Sequence, residues 1–194
     1  QKTSFFNRAY TSLIGQKANI LIDRATLAKP LKPSWKYFAQ GGEKVGPKLG
    51  AAVTKMQQLN PAYIRLDHVF DHYNVVSRDT GNLKFNFSEL DVELDNIRRM
   101  GAKPFISVSY MPSVISKGNE VDIPVSWFDW QLAVQKLVEH ISGKAGLAIT
   151  DVYYEVWNEP DLFGDFKLTG EKNYLTLYYY SSRGATSAKN VLPF

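Results

Sequence analysis

The segment Trp157-Asn158-Glu159-Pro160-Asp161 puts an indole, a neutral amide and a carboxylic acid on consecutive residues, directly after Val152-Tyr153-Tyr154-Glu155-Val156. An aromatic and β-branched run of that kind reads as a buried strand, so Glu159 stands where a strand gives way to a loop. A carboxyl group there can keep its proton near neutral pH if it is partly desolvated or faces a second carboxylate. Cleavage of a glycosidic bond asks for such a group: one acid protonates the leaving oxygen while another carboxylate acts as nucleophile or activates water. Asn158 can donate and accept without changing charge, which suits a sugar hydroxyl beside the scissile bond, and Pro160 fixes the backbone just beyond the acid.

Other polar residues stand at corresponding positions upstream: Gln40, then Arg65 with Asp67 and His68, then Tyr110. Carbohydrates need planar hydrogen-bonding partners and aromatic faces. On this reading Glu159 is the catalytic residue, and Asn158, Arg65, Asp67, His68, Tyr110 and Trp157 contact substrate. Glu155 lies one layer deeper and is expected to be buried against a cation such as Arg65, since an isolated buried charge is costly. His68 and His72 have a spacing that could hold a metal on a helix, but no third ligand is evident in the sequence, so no metal is expected. The run Tyr178-Tyr179-Tyr180 points in three directions on a helix and is assigned to packing.

These residues need a scaffold that brings strand ends together, and the chain repeats a strand-then-helix unit four times. The first unit has a strand within Trp35 to Gln40 and a helix carrying Leu49, Val53, Met56 and Leu59, stopped by Asn60-Pro61. The second has Ala62 to Asp67, then Leu90, Leu94, Ile97 and Met100 on one helix face, with Ser88 to Asp91 reading as a capping box and Gly101 as the left-handed terminator. The third has Lys103 to Tyr110 and a helix with Trp127, Trp130, Val134, Leu137 and Ile141, opened by Ser126 and closed by Gly143. The fourth has Asp151 to Trp157 and a helix beginning near Glu171 that includes Tyr174, Leu177 and Tyr178. Residues 18 to 23 alternate like a short lead-in strand, and Leu192-Pro193-Phe194 reads like entry into a fifth strand.

Strands alternating with helices imply a parallel sheet with right-handed crossovers. A doubly wound nucleotide-binding sheet would carry a glycine-rich turn after its first strand. The turn here, Gly41 to Gly46, fits neither phosphate-binding pattern. A (β/α)8 TIM barrel places its chemistry at the carboxyl ends of several strands, where the polar residues gather here, and is favoured. Residues 1–30 then form a lead-in with a short strand, and 31–194 the N-terminal half of a barrel, since 194 residues fall short of the roughly 250 of a complete one.

Composition narrows the partners. A net charge of +4 comes from scattered Lys and Arg, so no nucleic acid is expected; the absence of cysteine removes disulfides and thiolate chemistry. No apolar run is long enough for a transmembrane helix. Asn86-Phe87-Ser88 matches a glycosylation acceptor but also a helix start, and little weight is placed on it.

The segments VYYEVWNEPDLFGDF (152–166), SVSYMPSVIS (107–116), YIRLDHVFD (63–71) and SWKYFAQGGE (34–43) resemble, in order, four segments of glycoside hydrolase family 39. That family contains β-xylosidases and α-L-iduronidases, within a clan of retaining (β/α)8 glycosidases. The resemblance implies Glu159 as general acid/base, Asn158 as the contact to the hydroxyl next to the anomeric carbon, and Arg65 as support for the nucleophile. It implies no cofactor and an oligosaccharide or polysaccharide substrate; the sequence leaves the localisation undetermined, and that substrate class favours a secreted or cell-surface setting. The chain departs on the second strand, where the family tends to have His two residues after the Arg and this chain has Asp67 and then His68. The clan's nucleophile is a Glu at the end of the seventh strand, so the partner for this half is expected to be the remainder of the barrel, in the same polypeptide or a second chain. The alternative is a non-catalytic carbohydrate-binding or scaffold barrel without the nucleophile.

Overall fold

The computed structural model describes residues 32–40 and 44–194. The anticipated lead-in strand at 18–23 lies outside them. Four strands, β1 (Tyr37–Gln40), β2 (Tyr63–Leu66), β5 (Lys103–Val108) and β6 (Tyr153–Val156), form one sheet in that order, every neighbour parallel. Each is followed by a helix: α1 (Val53–Leu59), α2 (Ser88–Arg99), α3 (Trp127–Ile141) and α4 (Tyr174–Ser187). The four-fold strand and helix repeat expected from the sequence is thus present. Among the described residues, β1 and β6 each have one strand neighbour.

Period-two alternation gives the sheet two different faces. Ile64, Leu66, Ile106 and Val108 are buried, in one core with Leu90, Leu94 and Ile97 of α2, Trp130, Val134, Leu137 and Val138 of α3, and Leu177 of α4. The alternate positions carry Tyr63, Arg65, Phe105, Tyr153 and Glu155. The Tyr63, Phe105 and Tyr153 rings lie side by side across the strands, centroids 5.1 and 5.5 Å apart, and Tyr153 is 56% exposed. One face is a filled helix–sheet core; the other is open.

Local chemistry explains most helix ends. The Ser126 side chain caps α3 by accepting from Asp129 N, Asn173 caps α4 by accepting from Leu175 N and Thr176 N, and Asn60 ends α1 in the left-handed conformation. Gly101 is left-handed at φ +79°, as its position after α2 predicts. Gly143 serves α3 differently: a Cβ there would stand 2.0 Å from the Glu139 carbonyl oxygen.

Two expectations are corrected. The Ser88 capping box does not form: Ser88 is already helical, and its N–H is met by Asn86 Oδ1 at 3.1 Å. The fourth helix begins at Tyr174, three residues later than expected, because Asn173 supplies the cap. A hairpin not anticipated, β3 (Val76–Asp79) with β4 (Asn82–Phe85), is inserted between β2 and α2. Its two-residue turn, Thr80-Gly81, has φ of +46° and +88°, the conformation that matches strand twist in tight hairpins.

Buried Glu93 on α2 joins the first and second units. Its carboxylate accepts from Lys48 N at 2.9 Å, Leu49 N at 3.1 Å and Asn96 Nδ2 at 3.1 Å, so it satisfies the amides that open the short 3-10 turn (Leu49–Ala52) ahead of α1.

Candidate active site

Parallel register brings the strand ends together. Gln40 pairs with Leu66 and Leu66 with Ile106, while Ser107 and Val108 pair with Glu155 and Val156. Beyond these ends a cavity of about 490 Å³ is lined by Gln40, Arg65, Asp67, His68, Tyr110, Asn158 and Glu159, with Glu120, Val121 and Phe163 completing it. Six of the seven residues named from sequence therefore share one cavity.

The seventh does not line it. Trp157 is 1% exposed and lies beneath: its Nε1–H donates to the Phe163 carbonyl at 2.7 Å, and its ring meets Tyr110, Phe166 and Trp130 edge-on at 5.0, 5.3 and 6.1 Å. The indole is a floor for Tyr110, buried beneath the cavity rather than lining it. It has φ +69°, and Glu159 has φ +43°. Two left-handed non-glycine residues flanking Asn158 turn the chain sharply after β6, and such costly backbone persists only where the surroundings hold it. The Glu159 carbonyl accepts from Leu162 N and Phe163 N at 2.9 and 2.7 Å, closing the turn.

Arg65 organises the cavity floor. Its Nε donates to Glu155 Oε2 at 2.6 Å, its Nη2 donates to Asn158 Oδ1 at 2.9 Å, and Nη1 lies 3.8 Å from Asp67 Oδ2. The expected Arg65–Glu155 pair forms, but it is only partly buried because this sheet face is open. Asn158 in turn donates from Nδ2 to the Tyr110 hydroxyl at 2.8 Å, so both ends of its amide are assigned. Burial pushes the Tyr110 phenol up to about 12, so it keeps its proton and can donate into the cavity.

Asp67 is 5% exposed and already committed: Oδ1 accepts from Ser109 Oγ at 2.6 Å and from His68 N at 2.8 Å, and Ser109 Oγ also meets Ser107 Oγ at 2.9 Å. This anchors the end of β2 to the end of β5. His68, at φ +56°, holds Asp71 Oδ2 through Nδ1 at 2.7 Å and packs edge-on against Tyr110 at 4.4 Å. The Glu159 side chain is exposed at the rim, and no hydrogen bond or ion pair reaches its carboxylate among the described residues.

A second cavity, about 420 Å³, shares His68 and Glu120 with the first and adds Asp71, His72, Asn74, Met111 and Asn119. Sequence reasoning found no third ligand for the His68 and His72 pair. The turn after β2 supplies one: donor atoms of His68, Asp71 and His72 all lie within 4.8 Å of one another. Asp71 was passed over because its relation to the two histidines depends on how that turn folds. Phe163 and Glu120 were missed too; Phe163 stands four residues after Glu159, whereas nothing in the sequence ties Glu120 to the motif.

Known proteins resemble this chain in sequence and in fold. A β-xylosidase from Caldicellulosiruptor saccharolyticus is 30% identical over 113 residues, 54% of this chain and 23% of that protein. A β-xylosidase from Geobacillus stearothermophilus is 26% identical over 180 residues, 80% of this chain and 34% of the relative. An α-L-iduronidase from Canis lupus familiaris is 27% identical over 192 residues, 90% of this chain and 28% of the relative. The chain thus spans about a quarter to a third of the length of these relatives. Among solved structures, a monomeric β-xylosidase from Caulobacter crescentus CB15 superposes with TM-score 0.60 at 22% identity, over 74% of this chain and 30% of that one. A GH39 enzyme from Xanthomonas axonopodis pv. citri gives 0.59 at 24% identity, over 70% and 29%. These likenesses place the fold in the TIM-barrel-like α/β class. With the profile of glycosyl hydrolases family 39 matching residues 18–194, the chain belongs to that family.

Proposed function

We propose that this chain is the N-terminal half, about four β/α units, of a (β/α)8 glycosidase that hydrolyses O-glycosidic bonds by a retaining double displacement. Glu159 is the general acid/base: it protonates the departing oxygen, then deprotonates the water that attacks the glycosyl-enzyme. The nucleophile is supplied by the remainder of the barrel, which also covers the open sheet face and raises the desolvation around Glu159. No cofactor takes part.

The observation that carries this reading is the chain Arg65–Asn158–Tyr110, which fixes the amide next to Glu159 at the shared end of three parallel strands. Such preorganisation is what a site needs to hold a sugar hydroxyl beside the acid. Asn158 and Arg65 then act on the sugar next to the scissile bond, while Tyr110 and His68 contact hydroxyls and Asp67 positions His68. The β-xylosidase and α-L-iduronidase relatives support glycosides of a pentose or a uronic acid in oligo- or polysaccharides as substrates; with that substrate class, the setting proposed is outside the cell or at its surface.

The test is a leaving-group series in the complete protein. Glu159→Gln is expected to lower kcat/KM by roughly 10²–10⁴-fold on alkyl glycosides and much less on nitrophenyl glycosides, whose leaving groups need little protonation. Equal losses on both, or none, would count against Glu159 as the acid.

A further inference from the structure

We propose that His68, Asp71 and His72 form a binding site for one divalent transition-metal ion of the zinc class, its open coordination position facing the 420 Å³ cavity. The site goes beyond the glycosidase reading and does not depend on it.

The segment after β2 folds back in a single turn, with His68 left-handed and His72 N donating to the His68 carbonyl at 3.2 Å. The two imidazole rings accordingly stack at 3.9 Å with 13° between their planes, and both present a nitrogen to Asp71 Oδ2, His68 Nδ1 at 2.7 Å and His72 Nε2 at 3.7 Å. The shorter distance is a hydrogen bond; the longer one is not, so the carboxylate oxygen stands between two nitrogens and closes on only one of them. Zinc with ligands at about 2.0–2.2 Å sets tetrahedral ligand atoms roughly 3.3–3.6 Å apart. The spacings here bracket that edge, and small rotations of the two rings would reach it. Asp71 Oδ1 is held separately by Tyr110 N at 3.4 Å, which leaves Oδ2 for the ion.

The ligand set is two imidazoles and one carboxylate, the pattern of zinc sites that keep a position free for water or another ligand. All three side chains are partly exposed, at 15–19%, so an ion can enter from the cavity. Glu120 lines the same cavity and adds a carboxylate to it.

The experiment uses tag-free, metal-stripped full-length protein titrated with Zn²⁺, with competitive Co²⁺ loading. One ion per chain is expected for the wild type, for Glu159→Gln and for His140→Ala, the remaining histidine of this chain. His68→Ala, His72→Ala and Asp71→Asn are each expected to weaken binding by about 100-fold or more, since even outer-shell losses reach that size. X-ray absorption of the Co²⁺ form of the wild type should show two imidazole ligands, a reading that does not rely on any variant folding. No stoichiometric binding to the wild type, fewer than two imidazoles, or undiminished binding by the His68→Ala/His72→Ala variant would overturn the proposal.

Discussion

Arg65 on β2 donates from Nη2 to Asn158 Oδ1 at 2.9 Å while its Nε holds Glu155 of β6 at 2.6 Å, so one guanidinium joins the second strand to the last strand and to the turn that presents Glu159. A planar fork can hold two acceptors in fixed directions; an ammonium cannot. The amide next to Glu159 is thus held from across the sheet, by a residue more than ninety positions earlier in the chain.

Replacing that fork should misplace the amide and the acid together. In the complete protein, Arg65→Lys and Asn158→Ala are each expected to lower kcat/KM by about 100-fold. Because they act through one contact, the double variant should lose little more than either single one. Losses that multiply would show the two side chains acting independently.

Tyr110 predicts a response to alkali. Its phenol, raised to about 12 chiefly by burial, stays protonated in the fold when an unfolded tyrosine near 10 has ionised. The unfolded state then binds fewer protons, so stability falls as pH rises from about 10 towards 12. Spectroscopic titration of phenolate absorbance in the wild type and Tyr110→Phe should show one late-titrating phenol missing in the variant. A normal midpoint for that phenol would contradict the packing of Tyr110 described above.

The contact between α3 and α4 predicts intolerance at Gly184. A Cβ there would meet the Gln131 carbonyl oxygen at 2.5 Å and Val134 Cβ at 2.8 Å, while Trp130 Nε1–H donates to Ser181 Oγ at 2.8 Å a turn away. Gly184→Ala should destabilise by about 1–3 kcal/mol through overpacking, despite the better helix propensity of alanine. An unchanged or raised melting temperature would show that the helices can separate without cost.

Glu93 carries the corresponding prediction for α1 and α2. Glu93→Ala strands two backbone amides and should destabilise by about 2–4 kcal/mol, with Glu93→Gln milder because one acceptor oxygen remains. Chemical denaturation of both variants checks the order.

Much of this was legible before the structure. Period-two strands, 3.6-period helices and their order fix four β/α units, and the polar residues at strand ends assemble as anticipated because parallel register leaves them nowhere else to go. The Arg65–Glu155 pair was legible for a different reason, that an isolated inward carboxylate on a strand needs a cation. The hairpin was not, although Asp79-Thr80-Gly81-Asn82 between alternating residues carries its turn chemistry; it was absorbed into the connection between β2 and α2. That Trp157 lies beneath the cavity was not legible, because a left-handed residue after β6 turns its indole inward, which side-chain type does not reveal. Asp71 and Glu93 depend on where a short turn and a long-range amide fall in space, and neither leaves a periodic trace.

The central claim, that Glu159 is the acid/base of a retaining glycosidase, is tested most directly by Glu159→Ala in the complete protein with azide present. Removing the carboxylate makes room for a small anion that attacks the glycosyl-enzyme without needing a base. The account predicts a slow variant whose turnover of a nitrophenyl glycoside is restored by azide, giving a glycosyl azide of retained configuration. An unimpaired rate without azide, or a slow variant giving an azide product of inverted configuration, would contradict it.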